Sequence, residues 1–238
     1  WRQRELAVCR RADRIYYFSD VELQALATQL PEATLRRVPL YAMDIAPLPS
    51  YTPASPRDVL FVGGFNHPPN VDAALWLVRD ILPALRAACP DAHLHLVGSN
   101  PTPEVLALAG DAVTVHGYVS DEALTGLYRR VGAAVVPLQY GAGVKGKIIE
   151  AIAHHVPLVT TDIGAEGIPE AERVMWVENT ATAIAARLAA ILAGGEGDLE
   201  EKLARHAAWL ERHFDARVAL DTLRADMPAL GRSTDRAA

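Results

Sequence analysis

The sequence predicts a parallel α/β sheet with helices on both faces, a Rossmann-like fold. Three observations predict it. Short apolar runs recur between residues 59 and 177, the stretches between them have helical spacing, and a run such as Ala133-Ala134-Val135-Val136 is apolar at every position. A strand buried on both faces needs a helical layer above and below, and alternation of strand and helix makes the pairing parallel.

Residues 1–12 and 20–30 have helical spacing and flank a short aromatic strand at 15–18, and 37–40 offers one more strand. Five prolines between 39 and 56 then mark an extended connector. Beyond it, strands are expected at 59–62, 94–97, 113–115, 133–137, 158–161 and 174–177, with helices at 71–88, 103–109, 122–130, 144–155 and 181–193. Two amphipathic helices, about 199–213 and 216–227, precede a polar tail at 231–238 that is expected to be disordered. No initiator methionine opens the chain at Trp1, so a domain of something longer is expected.

With 238 residues, half of them apolar, the chain can build a core without metal or disulfide. Two cysteines, Cys9 and Cys89, are too few for a thiolate site and favour a reducing compartment. A net charge of −6 argues against nucleic acid as a partner, and no run is long enough for a membrane span. The cluster Arg2, Arg4, Arg10, Arg11 and Arg14 leaves peripheral contact with anionic lipid open.

Ligands of such sheets sit beyond the carboxyl ends of the strands. The loop Gly141-Ala142-Gly143-Val144-Lys145-Gly146-Lys147 stands out there. Its glycines allow close backbone approach, and it leads into a helix whose first N–H groups lack partners. Lys145 and Lys147 near that positive end are unfavourable by about 0.3–1 kcal/mol each unless an anion is bound, which points to phosphate. Glu150, three residues on, shares a side with Lys147 and can accept from two ribose hydroxyls; the plainer alternative is a Lys147–Glu150 ion pair on a solvated face.

Two other motifs compete for this stretch. A P-loop reading fails at Ile148, where a Ser or Thr would hold magnesium. Gly141-x-Gly143-x-x-Gly146 matches the dinucleotide fingerprint, with Asp162 about 20 residues on, but the fingerprint normally occupies the first βα turn and here four strands come first.

Phe61-Val62-Gly63-Gly64, Pro69-Asn70-Val71-Asp72, Leu96-Val97-Gly98, His116-Gly117-Tyr118-Val119, Lys147-Ile148-Ile149-Glu150-Ala151 and Thr161-Asp162-Ile163-Gly164-Ala165-Glu166-Gly167 resemble, in order and spacing, the group 1 (family 4) glycosyltransferases. The likeness runs from about 58 to 177. It implies a GT-B fold, two Rossmann-like domains across a cleft, of which this chain holds the C-terminal half. Residues 1–56 would then be a remnant of the N-terminal, acceptor-side domain with its linker, 57–195 the donor-binding domain, 196–228 the C-terminal helices and 229–238 the tail.

The resemblance further implies retaining transfer of a sugar from a donor such as a UDP- or GDP-sugar to a glycan or lipid-linked acceptor, with no cofactor and no required metal, in the cytoplasm. Lys147 and Glu150 would be catalytic. Lys147 and the amides of Gly143, Val144 and Lys145 would meet the diphosphate, Glu150 the ribose, and the Tyr118-Val119 backbone the base, with Gly141 and Ala142 in the same loop. Ala142 departs from the family, which commonly carries a glutamate there that holds the sugar. Gly64, Asn66 and His67 replace the family's usual arginine and lysine; the side chains of Asn66 and His67 either reach the donor or merely form a turn, with Asn66 and Asn70 near the next helix cap. His116, His154 and His155 read as structural or surface residues. Two further functions stay in view: a non-catalytic nucleotide-sugar-binding or scaffold module, and an NAD-type oxidoreductase domain using Asp162.

Overall fold

A computed structural model of the chain describes residues 2–41, 43, 45, 47–195 and 197–227, without the side chain of Arg2. The expected tail, Trp1 and Glu196 lie outside the described residues. The chain divides into two units, Trp1–Ala46 with Trp209–Ala238, and Pro47–Ala208.

The first unit opens with helix α1 (Arg2–Cys9), strand β1 (Ile15–Tyr17), helix α2 (Asp20–Ala27) and strand β2 (Leu35–Arg37). Strands β1 and β2 pair in parallel, Ile15 opposite Leu35, over a core of Ile15, Leu26 and Leu30. The Ser19 hydroxyl starts α2 by accepting from Glu22 N and donating to the Glu22 carboxylate, a helix start written in the sequence as Ser-x-x-Glu. Strand β2 lies two residues before the expected 37–40, because the ladder needs backbone N–H groups and Pro39 has none.

The second unit runs β3 (Ser55–Val62), α3 (Pro68–Trp76), a π-helical turn (Leu77–Ile81), α4 (Leu82–Ala88), β4 (His93–Val97), α5 (Pro103–Leu106), β5 (Val113–Gly117), α6 (Asp121–Arg130), β6 (Val131–Val136), α7 (Gly146–Ala153), β7 (Leu158–Thr160), α8 (Asp162–Ala165), α9 (Ala171–Val174), β8 (Trp176–Val177) and α10 (Ala181–Leu192). Helices α11 (Leu199–Phe214) and α12 (Ala216–Asp226) come last. Thr102, Ser120, Thr161 and Thr180 each accept the amide three residues on, which fixes where α5, α6, α8 and α10 begin.

Among the described residues the main sheet has the order β5-β4-β3-β6-β7-β8, and every neighbouring pair is parallel. All six residues of β6 are buried, as double helical cover requires. The expected helix 71–88 is present but widens at Leu77–Ile81, where Leu82 N bonds Leu77 O, five residues back. Pro83 comes at once; it brings no N–H and its ring would strike the carbonyl of Arg79 in a regular helix, so the wider turn relieves it. Helix α7 is shorter than the expected 144–155, ending where His155 takes a left-handed φ of 59°.

In the first unit, Asp226 at the end of α12 is buried and accepts from Tyr16 at 3.2 Å, with Arg14 and Arg36 at 3.2 and 3.4 Å. Strands β1 and β2 thereby hold the last turn of α12.

Candidate functional site

The strand order reverses between β3 and β6, where the succeeding loops leave in opposite directions and open a crevice. The loop after β3 is fixed by its neighbour after β4. Gly63 N donates to Val97 O at 2.9 Å and Phe65 N to Ser99 O at 2.8 Å. The contact is so close that a Cβ on Gly98 would lie 2.0 Å from Gly63 O.

His67 caps α3 by backbone conformation alone, and Pro68 and Pro69 fill its first positions, where no N–H is needed. Asn70 comes next and is buried. Its Nδ2 donates to Gly64 O at 2.7 Å, which turns Oδ1 the other way, and there the Lys147 ammonium donates to it at 2.5 Å. Lys147 Nζ also lies 4.9 Å from the centre of the Phe61 ring on β3, within cation–π range. A side chain at Gly63 would collide with both partners, its Cβ 2.7 Å from Lys147 Nζ and 2.8 Å from Asn70 Cγ.

From the other side comes the loop Tyr140 to Lys145. Gly141 and Gly143 have φ of 126° and 82°, a region closed to most side chains, and this lets the chain turn sharply into α7. No side chain caps α7, and in its first turn Ile148 N bonds back to Lys145 O at 3.0 Å. A cavity of about 180 Å³ lies here, lined by His67, Pro69, Asn70, Leu138, Tyr140, Lys145 and Lys147 with Gly141, Ala142 and Val144.

The two lysines differ electrically. Lys145 is buried and ion-paired with Glu166 at 2.9 Å, so its charge is already answered. Lys147 has no carboxylate partner among the described residues; burial pulls its ammonium down to about 8, with Glu150 raising it and Lys145 lowering it further. Glu150, half-buried, is pushed up chiefly by burial, against the pull of the Tyr128 hydroxyl, which lies 3.4 Å from Oε2. The Lys147–Glu150 ion pair does not form. The crevice therefore holds a cation poised for an anion, and a carboxylate one turn along the same helix.

The structure brings Lys145, Lys147, His67, Gly141, Ala142 and Val144 to one cavity, with Gly64 at its back through Asn70. Asn66 borders instead a neighbouring groove of about 490 Å³, where its Oδ1 accepts from Asn100 at 3.3 Å. Tyr118 and Val119 come directly after the edge strand β5, with Tyr118 78% exposed. Asp162 is occupied: Asn179 Nδ2 donates to its carboxylate at 2.6 Å and its own N–H donates back at 2.9 Å.

The three histidines expected to be structural or surface residues each meet another ring. His116 Nε2 lies 2.9 Å from His95 Nδ1, His154 stacks on Tyr128 at 4.5 Å, and His155 meets His206 edge-on at 5.3 Å. The sequence reading missed Asn70 as the lysine's partner, and with it Phe61, Tyr128 and Glu166. One signal was there: Asn70 is in phase with Ala73, Ala74 and Leu77, the buried face of the helix, where a polar residue needs a partner. Another was lysine scarcity, since Lys145 and Lys147 are two of three lysines in the chain.

Comparison with known proteins decides the family. The family model described as "Glycosyl transferases group 1" matches residues 56–194, more than half of the chain. The chain belongs to the group 1 glycosyltransferases. Among curated relatives, an uncharacterized 44.6 kDa protein in the cps region of Klebsiella pneumoniae is 32% identical over 117 residues, covering 46% of this chain and 30% of that protein. Among solved structures, the S. aureus TarM G117R mutant aligns with a TM-score of 0.76 at 13% identity, covering 94% of this chain and 45% of that one. The pneumococcal O-GlcNAc transferase GtfA aligns at 0.70 with 17% identity, covering 96% and 47%. Sucrose-phosphate synthase from Thermosynechococcus elongatus aligns at 0.65 with 23% identity, covering 96% and 61%.

These likenesses are of fold, and they place this group 1 glycosyltransferase chain with the C-terminal domains of GT-B enzymes. The chain spans less than two thirds of each of these relatives. No helix among its described residues is long and apolar enough to cross a membrane.

Proposed function

We propose that this chain is the donor-binding part of a retaining glycosyltransferase that moves a sugar from a nucleotide-sugar to a glycan or lipid-linked acceptor. One observation carries the reading: among the described residues the Lys147 ammonium has no carboxylate partner in the crevice where the strand order reverses, beside the start of α7, which no side chain caps. A diphosphate supplies the charge both features lack. Residues 57–195 hold the donor, and 1–56 belong to an acceptor-side domain with its linker.

The chemistry is electrostatic. As the bond from sugar to diphosphate breaks, negative charge grows on the leaving oxygens. Lys147 and the first N–H groups of α7, fixed beforehand, stabilise that charge without reorganisation. Glu150 accepts from the ribose hydroxyls, and its burial makes a carboxylate with one long hydrogen bond from Tyr128 costly until those donors arrive. The backbone at Tyr118 and Val119 meets the base, and Asn66 and His67 border the sugar. In this reading the lysine ammonium does the work that a metal cation would do, and no metal is required. UDP is the first diphosphate to test, because the TarM and GtfA structures are described as complexes with UDP. We place the protein in the cytoplasm.

Calorimetric titration with UDP, GDP, ADP and NAD tests the reading. Selective binding of one nucleoside diphosphate, weakened about tenfold or more by Lys147→Ala and again by Glu150→Ala, is the expected result. Binding of NAD alone would overturn it. Donor hydrolysis by the full-length protein, lost in Glu150→Ala, separates an enzyme from a binding module.

A further inference from the structure

We infer that Asn70 is a positioning residue for Lys147: it holds the ammonium with a neutral acceptor, so that the whole positive charge stays free for the ligand. The inference rests on the donor-site reading above. A lysine that projects into a crevice must be held there, and the usual holder is a carboxylate, which would cancel the charge that an anion needs. Asn70 holds it without cancelling it.

The geometry fixes each part of that arrangement. The carboxamide cannot flip, because Nδ2 donates to Gly64 O at 2.7 Å and Oδ1 must therefore face Lys147. Asn70 N donates to His67 O at 2.9 Å, anchoring the backbone from which the side chain reaches. The absent side chain at Gly63 leaves the space in which Lys147 Nζ and Asn70 Cγ meet. Behind the ammonium the Phe61 ring presents its electron-rich face, again an attraction without neutralisation. Among the described residues the titratable groups around the amine are Glu150 on its own helix, Lys145 at the N-cap of that helix, His67 at the start of α3 and Tyr140 in the loop before α7. A purely structural Asn70, present to satisfy Gly64 O, would be indifferent to whether Lys147 is charged.

The three lysines of the chain make a direct test practical, since selective ¹³Cε labelling gives three signals and Lys147→Ala assigns one. The Lys147 amine is titrated by NMR in the wild type, Asn70→Asp, Asn70→Leu and Asn70→Ser, and inorganic pyrophosphate binding is measured on the same samples. Asn70→Asp is expected to move the Lys147 midpoint up by about one pH unit or more, as a carboxylate beside an ammonium does. The two neutral variants, which remove the carboxamide oxygen that reaches the amine, are expected to move it down. Loosening of the fold would move it up in all three, so the opposite displacements mark positioning. Pyrophosphate affinity at neutral pH should fall about tenfold in Asn70→Asp and in Asn70→Leu.

An identical Lys147 midpoint in the wild type and all variants overturns the positioning role; if Lys147→Ala has nonetheless lost pyrophosphate, the donor-site reading stands. Undiminished pyrophosphate binding in Lys147→Ala removes the donor-site reading, and the inference with it.

Discussion

Lys147 and Glu150 lie one turn apart on α7 and take different partners: the ammonium donates to Asn70 at 2.5 Å, and the carboxylate lies 3.4 Å from the Tyr128 hydroxyl. An intrahelical pair would be worth only a few tenths of a kcal/mol. Forgoing it keeps a cation and an anion separately available on one helix, which suits a ligand with a phosphate at one end and hydroxyls beside it.

The separation has a pH signature. With its amine held down to about 8, Lys147 loses its charge as pH rises through that value, and affinity for a nucleoside diphosphate should fall there. Stability of the ligand-free chain should move the other way. Between about 8 and the ordinary lysine value of 10.5 the unfolded chain holds a proton that the folded chain has released, so stability rises with pH across that window. Calorimetry and thermal melts over the same range read both slopes; flat profiles would place Lys147 elsewhere.

Gly63 and Gly98 should respond differently to alanine. At Gly98 the new methyl meets the Gly63 carbonyl at 2.0 Å, backbone that cannot yield locally, and a loss of about 1–3 kcal/mol is expected in urea denaturation. At Gly63 it meets the ends of two side chains, which can move. Gly63→Ala should therefore stay folded and lose nucleotide affinity, because the Lys147 ammonium is what moves.

Acid should weaken the second unit through His206. The ring is fully buried with Nε2 2.9 Å from Val174 O, and burial pulls its pKa down to about 4. Below about 6.5 the unfolded chain takes up a proton that the folded chain refuses, so stability present above that value drains away as pH falls toward 4. His206→Leu should flatten that part of the pH–stability curve while losing about 1 kcal/mol at neutral pH. An unchanged acid limb would assign the effect to other groups.

Asp226 gives the first unit a comparable test. Asp226→Ala frees Tyr16, Arg14 and Arg36 at once, and a loss of about 1–3 kcal/mol is expected, because a buried carboxylate with three donors is replaced by nothing. Hydrogen exchange in β1 and β2 would locate the loss; a change confined to α12 would contradict the account.

What the sequence made legible was what neighbours in the chain decide. Ala133 to Val136 announce a strand covered on both sides, Ser19 with Glu22 announces a helix start, and all six strands of the main sheet fall where the apolar runs are. The glycine loop and Lys147 were visible for the same reason. Contacts that span the chain were not. Asn70 reaches Lys147 across 77 positions, Tyr128 reaches Glu150 across 22 and Lys145 reaches Glu166 across 21, and no periodicity encodes such pairs. The two lysines looked alike in sequence, yet one is neutralised by Glu166 and the other is not. Their difference is tertiary.

The π turn at Leu77–Ile81 also bears on the site, though it lies outside the crevice. Each of its hydrogen bonds spans one residue more than an α-helical bond does, so the segment stores a single spare residue. Removing one residue there would let the turn close to regular α-helix, while adding one elsewhere in the helix would lengthen it and rotate the residues beyond the insertion by about 100°. The length of this helix can therefore drift downstream of Trp76 while Asn70, upstream on α3, keeps its bearing on Lys147.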